Sequence, residues 1–147
     1  MKQITLLVVA LCLAIAPFGC GKKVIKTEGV SGVVRLDGQP LANATVHFIP
    51  ADSTGSASYG KTNENGEYKL QTLLGAADAG TTPGQYKVKI ECIEMYETGK
   101  TFQENGEEKN EMKPRSIIPA KYNDVSTSGL EATVVKGANT FDFDLQK

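Results

Sequence analysis

From residue 30 onward the chain alternates apolar and polar positions in short runs. Val30, Gly32, Val34 and Leu36 fall on one side of the first run, and Ser31, Val33 and Arg35 on the other. Ala44, Val46 and Phe48 then alternate with Thr45, His47 and Ile49. A period of two rich in β-branched residues predicts half-buried strands. Between these runs lies Asp37-Gly38-Gln39-Pro40. Asp-Gly supplies positive φ cheaply and Pro40 lacks a donor, so a tight turn is expected there. The same grammar continues downstream. Tyr59 to Leu70 reads as strand, Asn65-Gly66 turn and strand, with Tyr68 and Leu70 inward. Tyr86, Val88, Ile90 and Cys92 make the clearest face, opposed by Lys87, Lys89 and Glu91. Leu130, Ala132 and Val134 follow, then Phe141, Phe143 and Leu145, with Asp142 and Asp144 outward. Ile117, Ile118 and Tyr122 are expected to seal an edge of the core. The expected fold is all-β, an antiparallel β-sandwich of about seven strands over residues 30–147.

Two stretches break the pattern. Residues 97–116 carry mixed charges, two glycines and a proline with no sustained period, and predict a disordered polar loop. At the other end, Lys2 is followed by an apolar run from Ile4 to Ala16 that closes on Gly19-Cys20. The run is shorter than the roughly 20 residues that span a bilayer, so a helical secretory signal fits better than a membrane span. Residues 1–19 are therefore assigned to a signal peptide, and 20–29 to Cys20 and a polar tether.

The opening strands carry G-x-V-x-x-D-G-x-P-L-x-x-A-x-V-x-F from Gly32 to Phe48. With Thr62, Asn63, Gly66 and Tyr68, and then Gly84, Tyr86, Val88 and Ile90, this resembles the carboxypeptidase regulatory-like family. The resemblance implies a transthyretin (prealbumin)-like sandwich without peptidase activity. The N-terminal segment resembles a bacterial lipoprotein signal, in which the cysteine after a small residue is acylated and becomes the new N-terminus. That resemblance implies lipidation, by acyl chains such as palmitate, at Cys20. Pro17 and Phe18 depart from the residues usual before such a cysteine.

Composition adds mainly exclusions. The 147 residues suit one domain, and a net charge of −1 gives no basic excess for nucleic acid. Of three cysteines, Cys12 lies in the signal and Cys20 at its end, which leaves Cys92 as a core thiol without a disulfide partner. His47 is the only histidine and is expected on an outer strand face, unsuited to a triad or a zinc site. Lys61 to Thr72 has Asn63, Asn65 and Gly66 at calcium-loop spacing, but a lysine at the first ligand position and a threonine at the twelfth. Neither a metal nor a cofactor is expected. Asp142 and Asp144 read as a solvated face.

The expected function is non-enzymatic: a lipoprotein of the bacterial cell envelope whose sandwich binds a partner or acts as a spacer. The membrane, through the lipid anchor, and an envelope protein or glycan are the expected partners. Carbohydrate binding is the alternative, because related sandwiches belong with starch-binding folds. Sugar platforms favour exposed aromatics, and in the absence of Trp the candidates are Tyr59, Tyr96, Phe102 and Tyr122. Hydroxyisourate hydrolases share the architecture, but their resemblance fails on the single histidine and on the ending Asp144-Leu145-Gln146-Lys147.

Overall fold

The computed structural model of the chain describes residues 26–52, 55–72 and 80–147. Each alternating run becomes a strand because one face loses water to an opposing sheet while the other keeps it. In chain order the strands are β1 (Val30–Leu36), β2 (Gln39–Pro40), β3 (Thr45–Pro50), β4 (Ser58–Lys61), β5 (Glu67–Lys69), β6 (Gln71–Thr72), β7 (Gly84–Glu91), β8 (Ile93–Glu104), β9 (Glu107–Ser116), β10 (Leu130–Val134), β11 (Asn139–Thr140) and β12 (Phe143–Leu145). One 3-10 turn, Ala120–Asn123, precedes β10. The expected all-β sandwich is the fold observed. The signal segment and Cys20 lie outside the described residues.

One sheet has the order β10-β7-β3-β4-β6 and is antiparallel throughout. The other is built around β1. One edge of β1 takes β5 and β2, and the opposite edge takes β11 and β12. The turn between β1 and β2 places Asp37 and Gly38 at φ 50° and 79°, the type I′ geometry that Asp-Gly favours. The run Glu67–Thr72 serves both sheets. It pairs with β1 through β5, changes sheets at Leu70, and pairs with β4 through β6.

The core lies between the sheets and holds the predicted inward residues. Val46, Phe48, Val88 and Ile90 from one sheet meet Val34, Tyr68, Phe143 and Leu145 from the other, all buried. Phe48 is fully enclosed, with its ring 5.7 Å from Tyr86, 5.9 Å from Phe141 and 6.2 Å from Phe143. Cys92 is buried as expected, and its Sγ lies 3.5 Å from the Ala42 carbonyl oxygen. Burial pushes its thiol pKa up, which keeps it in the unreactive form.

The resemblance motifs have physical work at two points. Thr62 is buried, and its Oγ1 accepts the Ala44 N–H at 2.8 Å and donates to the Leu41 carbonyl at 2.7 Å. Those groups lie in a chain reversal that no ladder satisfies. Asn63 Oδ1 accepts the N–H groups of Asn65 and Glu67, each at 3.0 Å, and thereby closes the turn before β5.

Three expectations need correction. The sandwich is not wholly antiparallel, because β11 and β12 run parallel to β1. Asp142 is more than a solvated carboxylate. Its Oδ1 accepts the Val33 N–H at 2.9 Å, and its other oxygen lies 3.7 Å from Arg35. The polar tether does not run free to Gly29, since Glu28 and Thr81 exchange backbone hydrogen bonds of 2.7 and 3.0 Å.

The parallel pair depends on Gly32. Tyr68 sits opposite it across the β1–β5 ladder, and the Tyr68 hydroxyl donates to the Phe141 carbonyl at 2.8 Å. A Cβ at Gly32 would overlap that carbonyl oxygen. We expect Gly32→Ala to lower unfolding free energy by about 3 kcal/mol, the upper range for overpacking a rigid site. Denaturant unfolding checks this. A loss below about 1 kcal/mol would mean that the C-terminal strand can shift without breaking the Tyr68 contact.

Candidate interaction surfaces

Residues 97–116, expected as a disordered loop, belong instead to the hairpin β8–β9. Asn105 and Gly106 form its turn at φ 54° and 84°. Asn-Gly at that point is itself a hairpin signal, and it is the feature that the sequence offered for finding the element. The alternation was missing because both faces of the hairpin are largely exposed, so neither needs to be uniformly apolar.

Pairing sorts the hairpin side chains into two faces. On one, Ile93 faces Ser116, Met95 faces Pro114 and Glu97 faces Met112. Ile93 is 60% exposed, Met95 56% and Met112 43%. This strip of large apolar residues is displayed, not buried. The opposite face is charged and cross-linked. Arg115 Nε lies 2.6 Å from Glu94 Oε1, and its guanidinium sits 5.2 Å from the Tyr96 ring centre. Lys109 pairs with Glu104, and Lys113 lies 3.6 Å from Glu111. Thr98 donates to Glu111 at 2.6 Å, which holds that carboxyl pKa below its ordinary range. These contacts hold a two-stranded element that would be marginal alone in water.

A second surface is the outer face of the β10-β7-β3-β4-β6 sheet. Tyr59 and Lys89 flank His47 in register, and Glu91 lies diagonally beyond. Lys89 Nζ donates to Glu91 Oε1 at 2.7 Å, which is the main reason the Glu91 pKa is lowered. His47 Nε2 is shut from solvent 3.5 Å from the other Glu91 oxygen, without a hydrogen-bond partner among the described residues. Burial lowers the His47 pKa, opposed by Glu91. A cleft of about 440 Å3 opens beside it, lined by Ile49, Ala57 and Tyr59 among others.

The four aromatic candidates therefore do not form one platform. Tyr96 and Phe102 share the charged hairpin face, opposite Lys113 and Lys109. Tyr59 stands on the sheet face. Tyr122 is a correction: it is buried in the core, and its hydroxyl oxygen accepts the Gln146 N–H at 3.1 Å. Among the described residues, no group of His, Cys, Asp or Glu could hold a metal ion, and no helix is long and apolar enough to cross a membrane.

No protein-family model matches the chain. It is 30% identical over 121 residues to Structural protein 27 of a virus (isolate Australia/Victoria), a match over 76% of this chain and 23% of that protein. The chain thus spans less than a quarter of this relative's length. Among solved structures it is similar to a candidate carbohydrate-binding protein from Pseudomonas aeruginosa, with TM-score 0.41 and 14% identity over 84% of this chain and 90% of that one. It is also similar to a 9R-lipoxygenase from Cyanothece, with TM-score 0.36 and 16% identity over 83% of this chain and 16% of that one. At these TM-scores neither likeness bears on function.

The sheet face makes a pH prediction. A histidine whose folded pKa lies below its unfolded value favours the fold above about pH 6.5 and loses that contribution as pH falls. The lowered Glu91 acts in the same direction below about pH 4.3. Thermal midpoints should therefore fall on acidification from about pH 6.5, and His47→Gln should remove the upper part of that decline. An unchanged profile in the variant would sink the assignment to His47.

Proposed function

We propose that this chain is a non-catalytic β-sandwich module of the carboxypeptidase regulatory-like type, held at a bacterial cell-envelope membrane by a lipid on Cys20, that presents the hairpin β8–β9 to a protein partner. The observation that carries this reading is the displayed strip of Ile93, Met95 and Met112. Clustered exposed apolar residues on a projecting element mark interaction sites. Burying a side chain of this size on a partner is worth about 1.5–3 kcal/mol. The sandwich fits a non-catalytic module: its inward residues fill a core, and its lone histidine stands on an outer strand face beside Lys89 and Glu91. The 30% identity to a viral structural protein fits a structural module better than an enzyme.

One preparation tests both parts. The full chain is made in its native envelope with a photo-crosslinking residue replacing Met95. We expect a discrete protein adduct, lost when Met112→Asp is added, and a purified chain beginning at Cys20 with acyl mass. No adduct at Met95 would defeat the hairpin reading. A mature N-terminus at Cys20 without acyl mass would defeat the anchor.

The cleft beside Tyr59 favours a second reading, glycan binding, in which the tyrosine ring covers a sugar face. A glycan array tests it. Binding that survives Tyr59→Ala, or no binding at all, rules out this cleft as the sugar site.

A further inference from the structure

We propose that the outer edge of β9, which pairs with no strand among the described residues, pairs antiparallel with β9 of a second copy of this chain, about a two-fold axis at Asn110. This rests on the reading of β8–β9 as an interaction element, but it uses the strand edge, not the apolar strip.

The first support is the order of charges. One face of β9 carries Glu107, Lys109, Glu111 and Lys113 in alternation. Placed antiparallel about Asn110, Glu107 meets Lys113 and Lys109 meets Glu111, and the symmetry repeats both pairs. Every directly opposed charge on that face is then matched. Moving the axis to Glu111 opposes Glu111 to itself and Lys109 to Lys113. Parallel in-register pairing opposes every residue to its own kind. Charges that merely blunt an edge do not select one register, whereas this order excludes the neighbouring ones.

The second support is backbone. Pro114 lacks an N–H, and proline in an edge strand turns that position outward, so the outer ladder ends there. At the other end, the Asn105-Gly106 turn leaves the strand. The usable edge therefore runs from Glu107 to Lys113, and its midpoint is Asn110. The centre of the pairable edge and the centre of the charge pattern are the same residue. The lysine and glutamate heads are accessible: Lys109 and Lys113 side chains are about half exposed, and Glu111 is about one-third exposed. The edge of β8 offers no such match, because its charged residues are Glu94, Glu97, Lys100 and Glu104. Pairing β9 to β9 is isologous and closes at two copies, whereas β9 to β8 would propagate.

The test uses the full chain with its own first 25 residues, in membranes, under mild oxidation. Asn110→Cys places two thiols across the axis at a separation a disulfide can span. We expect most of this variant to run as a covalent dimer on a non-reducing gel, against little for the wild type and for Thr101→Cys on β8. Adding Glu107→Lys or Lys113→Glu alone should cut the dimer at least five-fold. Co-expressing these two single-charge variants, differently tagged, should restore a mixed dimer, because each mismatch then meets its complement. Asn110→Cys bridging no more than Thr101→Cys overturns the proposal, and so does bridging that ignores the charge changes. Protease resistance of the sandwich in each variant guards against misfolding as the cause. A failure here leaves the Met95 adduct to a different protein intact, and loss of that adduct leaves this dimer measurable.

Discussion

The contact on which the two sheets depend is the approach of Phe141 to Gly32. The chain leaves β10 in one sheet, crosses the end of the sandwich, and is laid against β1 in the other. It can lie there because Gly32 has no Cβ, so the Phe141 carbonyl can reach the Tyr68 hydroxyl across it. That diversion leaves the Val33 N–H without its expected carbonyl, and the Asp142 carboxylate takes the place. Arg35 then lies within 3.7 and 3.5 Å of Asp142 and Asp144. A single missing methyl group thus explains a partly buried hydroxyl bond, a side chain in the ladder and a surface ion-pair cluster.

The strand so fixed brings Phe143 beside Val34 and against Phe48 and sets Leu145 beside Leu36, and it completes the core. The opposite sheet is a conventional antiparallel ladder whose inner face is apolar. Its outer face carries Tyr59, His47, Lys89 and Glu91 in adjacent strands, where charges partly shielded from water interact more strongly than on an open loop. Folding energy and surface chemistry are therefore divided between the two sides of the same strands.

The hairpin obeys different physics. It continues directly from β7 through Cys92, so its base is anchored by a buried residue. Beyond that, cross-strand ion pairs, the Arg115–Tyr96 contact and the Asn-Gly turn hold it, and little apolar area is hidden within it. An element with exposed Ile93, Met95 and Met112, and a strand edge left unpaired among the described residues, is suited to binding, because association hides surface that folding left in water.

The alternating pattern by itself determined the all-β class, the inward faces and the Asp37-Gly38 turn, because the twofold period of a strand is written locally in side-chain order. It also placed Cys92 in the core and His47 on an outer face. It did not determine the direction of β11 and β12, since a strand with the same alternation can pair either way. The role of Asp142 was equally hidden, because the unpaired Val33 N–H exists only once Phe141 turns toward Tyr68. Tyr122 was legible as a core residue and equally as a surface aromatic; its burial, with the hydroxyl accepting the Gln146 N–H, decided it. The hairpin lay beyond the period-two signal, because alternation appears only where one face is buried and the other is wet. The Asn105-Gly106 turn was its one local sign, and only tertiary structure could show the register of the pairing and that the two exposed faces differ.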